Sequence, residues 1–356
     1  MTRGWLGEVG SDRLRRINQS AGAFLLASNV RAEFLYVANL GSGTISGYTV
    51  GFHGNLKPIT GSPFAAGKTP STIGIDIVGG FLYAPLENAG RVVGYSIGET
   101  GALTPVPGSP FAVGAAGQKI LSLAVDSLGG FVYVTGSPTG VFAYSIGSNG
   151  SLTSITGSPF STGIGPLDIA VDPNGEFVYV CDETDKAVLG YNIASNGVLG
   201  TIAGSPFSVE SSPTSVAVDP TASFAFVTGS NNIKVESIGQ TGALTFVEQK
   251  TLSRAVGAAV DPTGTFLYVT SDDTNTVAGY RISSTGRLTP VPNSPFATGS
   301  QPFAVVVDST GKFAYVTNFG ANSISGYRIG SNGALSPLSG PPFPTGSKPY
   351  RLGVVP

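Results

Sequence analysis

The sequence predicts an all-β chain folded as a seven-bladed β-propeller, with four antiparallel strands per blade and a carboxyl-terminal strand that closes the ring. A recurring motif, its regular spacing and the alternation of apolar residues support this prediction. The motif is Phe-x-Tyr/Phe followed by Val or Ala, and its copies begin at Phe34, Phe81, Phe131, Phe177, Phe224, Phe266 and Phe313. Successive copies start 47, 50, 46, 47, 42 and 47 residues apart. Such a period, built from short alternating runs, is typical of propeller blades.

Each repeat divides into four strands. The first ends in a branched residue and an aspartate, as in residues 166–172, and the motif itself forms the second. The third carries Gly-Tyr, as in residues 277–282, and Gly-x-Leu-x-Pro, as in residues 101–105, gives a short outer strand. All follow the period of two that a half-buried strand requires. In the first strand a small residue precedes the branched one, so each innermost strand should present a small face to one blade and a bulky face to the other.

Two further features recur with the repeat. An aspartate stands five residues before six of the motif phenylalanines, at Asp76, Asp126, Asp172, Asp219, Asp261 and Asp308. An aspartate before a tight turn usually caps that turn, so we expect caps here and no metal site. The sequence Gly-Ser-Pro-Phe or a variant follows the outer strand at 61–64, 108–111, 157–160, 204–207, 293–296 and 340–343. Its proline suits an edge or a connector, so we expect a structural staple.

The ends of the chain and the fifth repeat depart from this pattern. Residues 31–356 are predicted to form one propeller domain, and residues 1–30 an irregular leader or an added strand. Residues 349–355 match a first strand and should complete blade one, removing an open sheet edge. Residues 24–29 compete for that slot, but Ser28 occupies the branched position. Blade five lacks the Ser-Pro-Phe staple and has Glu236 in place of the third-strand tyrosine.

Composition narrows the possible functions. Charged residues make up 11% of the chain, and a net charge of -2 without a basic run argues against a nucleic-acid partner. No stretch approaches the roughly 18 apolar residues of a membrane span. The single cysteine, Cys181, allows no intrachain disulfide. We expect a monomer, and an extracytoplasmic location (periplasmic or secreted) is preferred to a cytoplasmic one.

The repeat resembles a known family. The pattern Val-Asp-Pro-x-Gly-x-Phe-x-Tyr-Val, with residues 315–318 reading Tyr-Val-Thr-Asn, resembles the lactonase-type seven-bladed propellers over residues 31–356. These include 6-phosphogluconolactonase-like proteins and the surface-layer repeats named for that tetrapeptide. The resemblance implies a hydrolase that opens a sugar lactone, with or without a phosphate group, or a muconate-type lactonising relative, with its site at one mouth of the central channel. The alternative is a non-catalytic, extracytoplasmic binding or surface scaffold for a carbohydrate ligand.

Charged residues are predicted to converge on that mouth. In a propeller, the loop before the first strand and the loop between the second and third strands open on the same face. Seven residues before each blade aspartate, or its equivalent in blade one, stand Thr69, Lys119, Gly165, Ser212, Arg254, Gln301 and Lys348. The other loops add Glu87, Arg91, Asp182, Glu183, Asp185, Asp272 and Asp273. Such a mouth would suit an anionic or polyhydroxyl ligand.

Lactone hydrolysis needs a base to activate water and a cation or donor for the developing oxyanion. We predict Asp168 as the base and Arg351 and Arg254 as its electrostatic partners, with Lys119 as a further candidate. Ligand binding is predicted for Lys119, Lys348, Asp182, Glu183, Asp272 and Asp273. The alternative, that rim charges only solvate the loops, stays open. Asp168 and Arg351 are favoured because a charge that replaces a small residue on an inner strand is costly unless paired or useful.

The remaining reactive residues indicate no other chemistry. The sequence has no His/Cys cluster for zinc, no Ser/His pair for a triad and no phosphate loop, so no metal or cofactor is predicted. The only histidine, His53, falls in a turn expected to lie away from the mouth. Cys181 is expected to be a small buried residue at the end of a strand.

Overall fold

Seven antiparallel sheets, each built on one copy of the motif, make up the part of the chain that the structure describes. The structure is a computed structural model that describes residues 32–356 apart from residues 127, 139 and 341. Residues 1–30 and the competing segment 24–29 lie outside the described residues. The domain boundary at residue 31 therefore stays a prediction.

The sheets are the blades of a closed ring, numbered here from the motif at Phe34. Each innermost strand contacts the innermost strand of the next blade. The ring is closed because the innermost strand of blade one contacts those of both blade seven and blade two. The predicted seven-bladed propeller with four-stranded antiparallel blades is confirmed. The innermost strands, from blade one onward, are Pro349–Val355, Gly74–Asp76, Lys119–Val125, Pro166–Val171, Pro213–Val218, Ala255–Val260 and Pro302–Val307.

The other strands follow outward in the same blade order. The second strands are Phe34–Asn39, Phe81–Leu86, Phe131–Ser137, Phe177–Asp182, Phe224–Gly229, Phe266–Ser271 and Phe313–Asn318. The third strands are Thr44–Val50, Arg91–Ile97, Gly140–Ile146, Ala187–Ile193, Asn232–Ile238, Thr276–Ile282 and Ser323–Ile329. The fourth strands are Leu56–Pro58, Leu103–Pro105, Leu152–Ser154, Leu199–Thr201, Leu244–Thr251, Leu288–Pro290 and Leu335–Pro337.

The Ser-Pro-Phe staple adds a short fifth strand in five blades, which the sequence analysis did not predict. These strands are Phe64–Ala65, Phe111–Ala112, Phe207–Ser208, Phe296–Ala297 and Phe343–Pro344, and each pairs with the third strand of its blade. The staple serine is also bound: the hydroxyl oxygen of Ser62 accepts the N–H of Gly47 at 2.9 Å. A Cβ on Gly47 would lie 3.1 Å from the rings of Tyr36 and Phe64, so the third-strand glycine admits the two aromatic rings.

Tyrosine hydroxyls join neighbouring blades. Second-strand tyrosines donate to a turn carbonyl of the next blade, as Tyr36 does to Gly101 at 2.6 Å and Tyr315 does to Gly54 at 2.7 Å. Third-strand tyrosines donate to the fifth strand of the preceding blade, as Tyr95 does to Ala65. Buried apolar residues fill the space between blades, where Gly74 is approached so closely by the side chain of Leu123 that a Cβ would lie 2.1 Å from it. The small face and the bulky face predicted for the inner strands therefore meet at this interface.

Ring closure and the turn caps follow the sequence predictions. The carboxyl-terminal strand pairs antiparallel with the second strand of blade one, Phe34 opposite Val355 and Tyr36 opposite Gly353. The blade aspartates cap their turns: one carboxylate oxygen of Asp172 accepts the N–H groups of Glu176 and Phe177 at 2.7 and 2.6 Å. Both roles are structural.

Candidate functional site

The polar centre of the molecule lies on the innermost strands, four residues before the blade aspartate or its equivalent. This position, which we call the axial ring, holds Arg351, Thr72, Ser122, Asp168, Ser215, Gly257 and Ala304 from blade one to blade seven. In every blade except the second, the pairing register of the inner strand shifts next to this position. A bulge of this kind re-aims side chains near functional sites. The axial ring is thus the point at which the inner strands turn side chains toward the channel that they enclose.

Asp168 and Arg351 form an ion pair across that channel. Arg351 Nη1 lies 3.0 Å from Asp168 Oδ1, although the two residues belong to blades one and four. The same carboxylate oxygen accepts the hydroxyl of Ser122 at 2.8 Å, and Oδ2 accepts the N–H of Val216 at 3.3 Å. Asp168 is 2% exposed, whereas the Arg351 side chain is 18% exposed. A buried carboxylate with three donors is held in one orientation, while the arginine side chain stays partly exposed.

Beside this pair the channel contains a cavity of about 220 Å³. Arg351 lines it, the hydroxyl residues Thr72 and Ser215 contribute polar groups, and Gly257 and Ala304 carry no bulky side chain. Pockets for drug-sized ligands usually measure about 300–1,000 Å³. The cavity therefore suits a ligand of roughly monosaccharide size.

The predicted rim cations lie at the same end of the inner strands but find separate partners. Lys119 Nζ lies 3.7 Å from Glu87 Oε1 of the neighbouring blade. Arg254 forms a two-point pair with Asp272 of its own blade, at 2.8 and 2.9 Å. Of the three cations considered as partners for Asp168, the structure brings only Arg351 to it. Arg254, which was predicted to assist Asp168 in catalysis, does not contact it. Arg254 instead pairs with Asp272, which follows the adjacent strand of the same blade.

The predicted acidic ligand-binding residues divide into two kinds. Asp182 is fully buried, and its carboxylate accepts the N–H groups of Gly165, Thr184 and Asp185 at 2.9–3.2 Å. It holds the blade-four loop, and its oxygens already have donors. Glu183, the next residue, is exposed at the mouth. Asp273 is also exposed, and a hydrogen bond from Ser253 at 2.5 Å lowers the pKa of its carboxyl.

Four of the seven rim positions have left-handed backbone conformations. Thr69, Arg254, Gln301 and Lys348 have φ values of 56°, 40°, 50° and 52°. This region is unfavourable for residues other than glycine, and more so for a β-branched threonine. Such strain tends to occur where a loop must hold a functional geometry. The loops therefore hold the backbone of these four rim residues in a conformation that residues other than glycine do not favour.

The mouth also has an aromatic cluster that the sequence did not lead us to predict. Phe303 and Tyr350 stack with ring centroids 3.8 Å apart, and Phe319 lies 6.2 Å from Tyr350 at an angle of 66°. Lys348 Nζ lies 5.8 Å from the centre of the Phe319 ring. Aligning the repeats five residues before the blade aspartate gives Tyr350, Ser71, Leu121, Leu167, Thr214, Val256 and Phe303. Only the two neighbouring blades one and seven have aromatic residues in that column, which was the available signal.

The other reactive residues lie apart from this centre. His53 packs edge-on against the exposed Phe52 in an outer turn. Cys181 is buried, and burial raises the pKa of its thiol, which makes it a poor nucleophile. Within the described ranges, no three His, Cys, Asp or Glu side chains come together as a metal site would require. Nor does this part of the chain include a helix long and apolar enough to span a bilayer.

Comparison with known proteins connects this fold to one family. The family model described as Lactonase, 7-bladed beta-propeller, matches residues 122–300 and 258–343, which together are more than half of the chain. No curated protein matches the sequence.

Solved structures of similar shape cover nearly all of the propeller. A putative 6-phosphogluconolactonase from Bacteroides fragilis has a TM-score of 0.77 at 18% identity, over 93% of this chain and 99% of that one. The periplasmic gluconolactonase of Pseudomonas aeruginosa has a TM-score of 0.75 at 19% identity, over 91% and 99%. A protein from Lactobacillus plantarum has a TM-score of 0.78 at 21% identity, over 91% and 99%. At these identities the likeness shows a shared fold.

Proposed function

Because the chain belongs to the lactonase family of seven-bladed β-propellers, we propose that it opens a small sugar lactone by hydrolysis at the mouth of its central channel. The observation that carries the proposal is the ion pair between Asp168 and Arg351 beside an open cavity. The gluconolactonase names of two structural neighbours make a sugar lactone the first substrate class to test.

In this mechanism Asp168 is the base and Arg351 stabilises the oxyanion. Asp168 takes a proton from water while the water oxygen bonds to the lactone carbonyl carbon. The carbonyl electron pair moves to oxygen, where the guanidinium of Arg351 stabilises the negative charge. Collapse of this intermediate breaks the bond between the carbonyl carbon and the ring oxygen. The ring oxygen receives the proton, and the product is an open-chain hydroxy acid.

The surroundings of the pair favour this division of roles. A guanidinium has five N–H donors in a planar fork, and only Nη1 is bound to Asp168. Arg351 also lines the cavity, so a carbonyl oxygen bound there would lie beside this residue. Ser122 and Val216 also bind the Asp168 carboxylate and fix it, so the carboxylate in turn keeps Arg351 in place.

The test is a lactone panel that includes glucono-δ-lactone and 6-phosphogluconolactone. We expect Asp168→Asn and Arg351→Gln each to lower kcat/KM by at least about 100-fold, the usual range for loss of a base or an oxyanion donor. Arg281→Gln is the matched control, because Arg281 is an exposed arginine of a third strand and lies over the Phe266 ring. Turnover that survives in both channel variants would reject the assigned site.

One observation favours the second candidate, a non-catalytic carbohydrate-binding module. Asp168 is almost fully buried and already accepts three donors, as a purely structural carboxylate would. A folded protein that hydrolyses no lactone of the panel, yet is stabilised against heat by a sugar, would support this binding function and reject the hydrolase.

A further inference from the structure

The aromatic cluster at the mouth is partly exposed, although Phe303 also packs against the apolar core between blades one and seven. Phe303, Phe319 and Tyr350 are each only partly buried. They come from two neighbouring blades: Phe303 from the inner strand of blade seven, Phe319 from the loop after its second strand, and Tyr350 from the inner strand of blade one. The three partly exposed rings form an apolar patch at the rim, in which Phe319 is inclined by 41° to Phe303 and by 66° to Tyr350.

The hydroxyl of Tyr350 is the second observation. Elsewhere the tyrosine hydroxyls that join blades donate to backbone carbonyls, as those of Tyr83 and Tyr268 do at 2.8 Å. Among the described residues, the Tyr350 hydroxyl has no hydrogen-bond partner. Burial raises its pKa, and the charges that act on it are Arg351, Glu87, Asp168 and Glu183. Within the described residues the donor and the acceptor of this hydroxyl are therefore unused.

Charge complements this apolar surface on one side. The ammonium of Lys348 lies over Phe319, and Arg351 follows Tyr350 directly in the same strand. The left-handed backbone of Lys348 holds the start of this strand in an unfavourable conformation. Partly exposed aromatic rings, a free hydroxyl and adjacent cations match a sugar ring that stacks on one of the aromatic rings through its C–H face and bears an anionic substituent.

We infer that Phe303, Phe319, Tyr350 and Lys348 form a ring-binding subsite at the channel mouth, which stacks a pyranose or lactone ring and pairs Lys348 with a carboxylate or phosphate on that ring. The inference rests on the proposed function only in that both place the ligand at the same mouth. This platform, made of Phe303, Phe319, Tyr350 and Lys348, selects and orients the ring, and Arg351 follows Tyr350 in the same inner strand.

Three probes separate the contributions in an NMR titration. D-Glucuronate has a ring and a charge, D-glucose has the ring alone, and D-gluconate has the charge without a ring. We expect the wild-type protein to bind glucuronate most tightly. Phe319→Ala should weaken binding of both ring probes by about tenfold and leave gluconate unchanged, since an aromatic contact contributes up to about tenfold. Lys348→Gln should weaken only the two anionic probes.

The variants are matched to the fold. Gln301 occupies the same left-handed rim position in blade seven, so glutamine is compatible with the backbone at Lys348. Phe52→Ala is the control for aromatic removal, because Phe52 is 91% exposed in an outer turn. Tyr350→Phe keeps the ring and removes the free hydroxyl, and it should weaken ring probes without changing thermal stability.

The outcomes distinguish this inference from the hydrolase. If the ring probes bind with the expected pattern among the variants but no lactone is hydrolysed, the platform is supported and the hydrolase is rejected. Lactone turnover with an unchanged KM in Phe319→Ala keeps the hydrolase and rejects the platform. The platform is also rejected if the wild-type protein binds none of the three probes, or if Phe52→Ala weakens binding as much as Phe319→Ala.

Discussion

Single residues gain their meaning here from their place in the repeat. The threonine of Tyr-Val-Thr-Asn is an example: the Thr317 hydroxyl receives the N–H of Ala304 at 3.0 Å and donates to Tyr350 O of the next blade at 2.8 Å. Thr317 therefore provides a hydrogen-bond acceptor for the bulged inner strand of blade seven and joins that blade to blade one. Arg351 and Asp168 are the two charged residues of the axial ring, whose other members are small. Each side chain lowers the free-energy cost of burying the other, because the two form an ion pair.

The ion pair gives a prediction at the residue scale. Arg351→Met should lower the free energy of unfolding by about 3 kcal/mol, because it leaves the buried Asp168 charge without its cation. Asp168→Asn should cost a similar amount. The double variant should cost clearly less than the sum, by at least about 1 kcal/mol in a urea-denaturation cycle. Additive costs would show that the two side chains are not energetically coupled across the channel.

At the scale of the element, blade five shows how a degenerate repeat is accommodated. Its fourth strand, Leu244–Thr251, extends along the whole third strand and replaces the short fourth and fifth strands of other blades. Lys234 donates to Ser208 O at 2.6 Å, the kind of carbonyl that a third-strand tyrosine reaches elsewhere. Glu236, which stands in the tyrosine position, neutralises this lysine at 2.8 Å. The change of Tyr to Glu is thus coupled to a new buried cation.

Blade five also lacks a second-strand tyrosine, because Phe226 occupies its place. In the other blades this hydroxyl donates to the glycine carbonyl of the next turn, and the equivalent glycine for Phe226 is Gly286. Phe226→Tyr should therefore raise the free energy of unfolding by about 1 kcal/mol, the usual net value of one buried hydrogen bond. Tyr179→Phe in blade four is the matched control and should lower it by a similar amount. Denaturant midpoints measure both, and a destabilised Phe226→Tyr would contradict an equivalent geometry in blade five.

For the whole molecule, stability depends on closing the ring. The carboxyl-terminal strand supplies the inner strand of blade one, contacts blades two and seven, and carries Arg351. Without it, the second strand Phe34–Asn39 would present an open apolar edge, and Asp168 would lose its cation.

Truncation tests this dependence. A chain that ends at Ser347 should lose its cooperative thermal transition and elute as aggregates in size-exclusion chromatography. Removal of Pro356 alone, which follows the last strand, should change neither measurement. A monomeric, cooperatively folded product of the longer truncation would show that six complete blades and a partial one suffice.

Much of the architecture could be predicted because it is encoded locally. In blades two to seven the alternating strands, the turn glycines and the aspartate cap all lie within one repeat of the sequence. Seven such repeats and an unmatched first strand at residues 349–355 predict the blade number and the closing strand. The fifth strand was missed because two residues after a proline give too short a pattern to identify a strand.

The site was predicted only in part. Asp168 and Arg351 could be selected from the sequence because each breaks a column of small residues, which is a local signal. Their pairing could not be, since they are 183 positions apart and meet only when the ring closes. The partner of Arg254 could not be predicted either: the structure pairs it with Asp272 of its own blade and not with Asp168.

The sequence by itself determined the blades, their number and which residues lie at the ends of the inner strands, because strand pattern and turn chemistry act over a few residues. Only the tertiary structure decided which charges meet, which loop acids are already bound, and that Phe303 and Tyr350 stack at 3.8 Å. The physical reason is that contacts across a propeller axis depend on the curvature accumulated over several blades, and no single repeat encodes that curvature.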